Sequence, residues 1–76
     1  MDKRAERIEL IMKHYSLNQK EFAEKIGVLQ STLGYILEGR DTPSLSVIDR
    51  ICMTYPEINV GWLLFDRGEM IENSRD

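Results

Sequence analysis

Residues 18–37, NQKEFAEKIGVLQSTLGYIL, decide the fold of this chain, because they read as two short helices joined by a tight turn. Phe22, Ala23 and Ile26 fall at i, i+1 and i+4, the spacing of one inward helix face, and Asn18 ahead of them has the short polar side chain that suits an N-cap. Together they predict a helix over about residues 19–26. Gly27 ends it, since glycine takes the left-handed backbone of a helix stop without steric cost, and Val28 anchors the turn. A second helix is predicted over about residues 30–37, with Leu33, Ile36 and Leu37 inward and Gln30, Ser31, Gly34 and Tyr35 facing solvent. An outward face of small and amide side chains is chemically suited to reading base edges.

The flanking sequence supplies the rest of a helical core. Upstream, Ala5, Ile8, Ile11, Met12 and Tyr15 form an apolar stripe over residues 2–15, with Lys3, Arg4, Glu6, Arg7, Glu9 and Lys13 on the wet side and Leu10 off the stripe. Ser16 and an inward Leu17 bridge to the next helix. Downstream, EGRDTP at residues 38–43 is a polar turn, in which Gly39 closes the helix and Pro43 sets the next entry. A fourth helix starts at about Ser44, its N-cap, and carries Leu45, Ile48, Ile51, Cys52 and Tyr55 inward, Asp49 and Arg50 outward. Pro56 stops it. Asn59 caps a short fifth helix over residues 60–65, whose Trp62 and Leu63 close the bottom of the core. From Asp66 onward, DRGEMIENSRD loses periodicity and is expected to fray. The whole reads as an all-α, compact five-helix bundle: one domain over residues 1–70 and a frayed acidic tail over residues 71–76.

Composition narrows the function. Seventy-six residues with 42% hydrophobic content make one domain with one small core. Cys52 is the only cysteine, so packing must hold the fold, which fits a reducing cytoplasm; its expected role is that of a small hydrophobe. No apolar run approaches the roughly 18–20 residues that cross a bilayer, and the opening MDKRAERIEL is charged rather than signal-like, so a soluble cytoplasmic protein is expected. The sequence offers no nucleophile with a plausible base, no metal-ligand cluster and no phosphate-binding glycine loop. It is therefore read as a non-enzyme without cofactors. His14 stands alone at the end of the first helix, a position suited to the helix dipole. A net charge of −3 is unusual for a nucleic-acid binder, but residues 57–76 carry all of it, with five acids against two bases. Residues 1–56 hold eight of each sign.

With these residues in place, the chain resembles the helix-turn-helix DNA-binding domains of the phage repressor and Cro type. The resemblance covers about residues 4–70. It is carried by LNQKEFAEKIGV for the second helix and turn, QSTLGYI for the recognition helix, EGRDTPS for the loop after it, and PEINVGWLLFDRGEM for the close of the domain. It implies a third helix in the major groove of double-stranded DNA, with base contacts from Gln30, Ser31 and Tyr35. Gln suits adenine bidentately and Ser any base, whereas Tyr offers a hydroxyl for phosphate or a ring face for a thymine methyl. It also implies phosphate contacts from Asn18 and Gln19 at the start of the second helix and from Arg40, Thr42 and Ser44 in the following loop. The implied activity is that of a sequence-specific transcriptional regulator, a repressor acting as a homodimer, with Leu64 or Phe65 at the subunit contact. The ending also resembles repressors in which a longer C-terminal region follows.

Five positions depart from the family pattern. Where the family often buries an Arg and Glu pair between the first and third helices, this chain has Met12 and Leu37, an apolar pair expected to meet. Leu29 replaces the usual Ser or Thr cap of the recognition helix, forfeiting about 1 kcal/mol of capping. Gly34 costs the helix about 1 kcal/mol relative to Ala and is expected to let backbone approach DNA closely. Glu38 sets a carboxylate where a neutral phosphate contact is common. That carboxylate, the acidity and the apolar C-terminal run support an alternative: a helical protein-interaction or antitoxin-like module that keeps the fold with weak or no DNA binding.

Overall fold

A computed structural model describes residues 3–71. Among these, the chain forms α1 (Lys3–His14), α2 (Gln19–Ile26), α3 (Gln30–Leu37), α4 (Leu45–Thr54) and α5 (Val60–Phe65), and no strand beyond one isolated bridge between Ile58 and Ile71. α1 contributes Ala5, Ile8, Ile11 and Met12 to the core, α2 Phe22, Ala23 and Ile26, and α3 Leu33 and Ile36. Val47, Ile48, Ile51, Ile58, Trp62 and Leu63 complete it. Met12 is buried and Leu37 is partly buried against the same cluster, so the departure from the family's ion pair is absorbed by one apolar core. No helix among the described residues is long and apolar enough to cross a membrane.

Helix ends explain why so short a chain holds five helices. Asn18 begins α2 with a full capping box: its Oδ1 accepts from Glu21 N–H at 2.8 Å, and its own N–H donates to Glu21 Oε1 at 3.0 Å. Gly27, at φ +77°, closes α2, and Val28 N–H then donates back to Ala23 O at 3.0 Å. α1 ends the same way without glycine: Ser16 takes φ +57°, and Leu17 N–H donates to Met12 O at 2.9 Å. Ser44 Oγ accepts from Val47 N–H at 3.2 Å to start α4.

Three expectations need correction. α4 turns Val47, not Leu45, into the core, and Leu45 is 81% exposed. Leu45 is the first helical residue, and Val47, Ile48 and Ile51 already fill the inward face at i, i+1 and i+4. Gly34 is buried rather than solvent-facing. Finally, the chain does not lose structure at Asp66. Asp66, at φ +59°, closes α5, Asn59 N–H donates to Met70 O at 2.8 Å, and Asn59 Nδ2 donates to Arg67 O at 3.2 Å. Met70 and Ile71 pack partly against the core, which helical periodicity could not foresee because residues 66–71 are held without a helix. The expected frayed tail beyond Ile71 lies outside the described residues, as does Asp2.

Two long-range ties lock the ends of the bundle together. Arg7, placed on the wet face by its spacing, is half-buried, and its Nε donates to Leu63 O at 2.7 Å and its Nη2 to Leu64 O at 3.3 Å. It sits on the last turn of α5, where a cation is favoured by the helix dipole. On the other side, the Tyr15 hydroxyl donates to the Glu57 carboxylate while its ring stacks on Tyr55 at 4.2 Å. Burial, then the Glu57 contact, push the Tyr15 phenol well above its ordinary value, and the Tyr15 bond holds Glu57 below the usual carboxyl range. Cys52 is half-buried, and its thiol is pushed up by burial and then by Asp49, which keeps it in the unreactive protonated form.

Candidate nucleic-acid interface

The candidate surface is made by the start of α2, the outer face of α3 and the loop leading to α4. Gln30, Ser31 and Tyr35 are exposed on α3. Leu29 precedes them as an N-cap with extended backbone (φ −68°, ψ 142°), no capping hydrogen bond and 72% exposure. With no side chain on its N-terminus, the first N–H groups of α3 are left for an outside acceptor, and the helix dipole favours an anionic one.

Asn18 and Gln19 are less free than their exposure at a helix start suggests. Asn18 spends its carbonyl oxygen on Glu21 N–H, which leaves its Nδ2 as the donor available to a phosphate. Gln19 reaches across to α3, where its Nε2 donates to Gln30 O at 3.2 Å. The same amide covers Gly34: a Cβ built there would lie 2.8 Å from Gln19 Nε2 and 3.8 Å from its Cδ. Gly34 therefore faces α2 and not the open surface, contrary to the expectation of close approach to DNA. Sequence spacing missed this link because it joins residues on two helices, and the signal for it was a glycine inside a helix that needs every good helix former.

In the loop, Arg40 lies over the Tyr35 ring at 5.8 Å and its Nε pairs with Glu38 Oε1 at 3.2 Å. Arg40 N–H and Asp41 N–H both donate to Tyr35 O, at 2.9 and 3.3 Å, so the loop folds back onto the end of α3. The Glu38 carboxylate thus spends its charge on the nearest cation of the surface. Both side chains are largely exposed, so the pair contributes little to stability. Thr42 is exposed, and Ser44, also exposed, retains its hydroxyl proton while its oxygen caps α4. The structure thus joins Gln19 to Gln30 and Arg40 to Tyr35, and shows no direct bond from Asn18, Ser31, Thr42 or Ser44 to another member of the set.

This arrangement can present an amide, a hydroxyl and an aromatic ring on one rod-like face, flanked on two sides by donors suited to phosphate. The helix-turn-helix family profile matches residues 8–63, well over half of the chain, and takes in α2, the Gly27 turn and α3 as well as the loop behind them. No curated protein and no solved structure matches the chain. With the profile, five helices and a two-helix unit around Gly27, the chain belongs to the helix-turn-helix family of DNA-binding domains of the phage repressor type.

Proposed function

We propose that this protein is a sequence-specific transcriptional repressor that binds double-stranded DNA as a homodimer in the cytoplasm. The observation that carries the reading is the exposed Gln30, Ser31 and Tyr35 face of α3, set between the α2 start and the Arg40 loop. Gln30 and Ser31 read base edges in the major groove, and Tyr35 adds a hydroxyl or ring contact. Asn18, Gln19, Arg40, Thr42 and Ser44 hold the phosphates on either side and fix the register. Phe65, 65% exposed, and the partly buried Leu64 form the subunit contact, so that two α3 helices meet major grooves about 34–36 Å apart.

The test is a titration against duplexes selected from a random pool, repeated at several salt concentrations. Binding should weaken steeply as salt rises, and Gln30→Ala should relax discrimination at one base pair by about 1–3 kcal/mol. The net charge of −3 and the exposed Phe65 support a second reading, a protein-interaction module. Absence of binding to any duplex at low salt, with a light-scattering mass that shows no dimer, would decide for it.

A further inference from the structure

Gly34 costs α3 helical stability and lies buried at the crossing with α2, so its presence needs a reason other than contact with DNA. The reason on the page is the Gln19 amide. Its Nε2 occupies the volume that a Gly34 Cβ would need, at 2.8 Å, while donating to Gln30 O at 3.2 Å. Residues 30 and 34 are one turn apart, so the missing Cβ and the accepting carbonyl lie on the same turn of α3. They form a single seat for one side chain.

We infer that Gly34 is a positioning residue: by lacking a side chain it seats the Gln19 amide across the first turn of α3 and so sets the angle at which Gln30 and Ser31 meet the bases. This rests on the DNA-reading role of α3. Gln19 enters from the start of α2, the end that offers backbone N–H groups to phosphate, so the seat ties the phosphate-holding end of one helix to the base-reading end of the next. A methyl at residue 34 pushes the flexible end of Gln19 away at little cost to folding. Stability and recognition are then opposed at this one position.

Gly34→Ala tests it. The variant should melt about 4–8 °C higher, the shift that roughly one Gly to Ala exchange in a helix gives in a domain this small. Its affinity for the selected duplex should fall about tenfold, which is about 1.4 kcal/mol. The side-chain amide resonances of Gln19 should move to solvent-exposed positions with no DNA present. Gln19→Ala should lose a similar factor, and Gln19→Ala with Gly34→Ala should bind no worse than Gln19→Ala alone, since the seat is then already empty. Unchanged affinity in Gly34→Ala, or losses that simply add in the double variant, would overturn the role of Gly34 and leave the DNA-binding reading intact. A wild-type chain that binds no duplex would overturn that reading and this role together.

Discussion

Replacing Arg7 removes two side-chain hydrogen bonds that join α1 to α5, which makes it the sharpest test of how this domain is closed. α5 has six residues, far too few to persist alone, so it depends on Trp62 and Leu63 in the core and on the guanidinium at its last turn. The bond to Leu63 O is short at 2.7 Å and the one to Leu64 O long at 3.3 Å, so most of the effect belongs to the first. A hydrogen bond to a charged group contributes about 1.5–3 kcal/mol when buried, and the half-exposed position of Arg7 lowers the pair to about 1–2 kcal/mol. Arg7→Met keeps the apolar stem and should lower the melting temperature by about 5–15 °C, while Arg7→Lys, with charge but no fork, should fall between. Thermal unfolding followed by circular dichroism reads the loss, and amide exchange locates it in α5. If Arg7→Met melts within about 1 °C of the wild type, the capping role of the guanidinium is refuted. Because Phe65 ends α5, the same variant should also weaken the proposed dimer.

Three further outcomes follow from single contacts. Glu57 is held below its ordinary value of 4.5 in the folded chain by the Tyr15 hydroxyl, so its contribution is present above that pH and lost as pH falls through the lowered value; Glu57→Gln should flatten the fall in stability of the wild type in urea titrations from neutral pH into this acid range. Leu29→Ser supplies an oxygen for the open start of α3 and gives up little packing at 72% exposure, so calorimetry should show a gain of about 0.5–2 kcal/mol; no gain would mean that the first turn of α3 is already satisfied. Glu38→Gln leaves Arg40 without its carboxylate partner, so stability should stay within about 0.5 kcal/mol while the slope of log affinity against log salt steepens by about one; an unchanged slope would remove Arg40 from the proposed phosphate contacts.

The helices and their caps could be read from local pattern because the forces that start and stop them are local. Asn18, Ser44 and Asn59 cap the helices they precede, Gly27 closes α2, and the inward residues of α1, α2 and α5 recur at helical spacing. What pattern could not supply is the identity of a neighbour from another helix. The spacing of Arg7 puts it in water, yet its acceptors lie 56 and 57 residues away. The angle of Gly34 on α3 suits the open face, and only Gln19 from α2 shows otherwise. Leu45 differs for another reason: its hydrophobicity implies burial, yet the bundle leaves this helix start uncovered. Residues 66–71 carry no period because Asn59, not a helix, holds them.

The helix closures at Ser16, Gly27 and Gly39 have a consequence in time. In each, an N–H donates to a carbonyl only five residues back, Leu17 to Met12, Val28 to Ala23 and Arg40 to Tyr35, so every reversal from α1 to the loop after α3 is closed by near neighbours. Chains whose contacts are this local fold in about microseconds to milliseconds, since little loop entropy is lost before contacts form. The two-helix reading unit can therefore assemble while the remote Arg7 tie to α5 is still open. A newly made molecule would hold the shape of the helix-turn-helix unit before it holds the surface proposed to meet its twin.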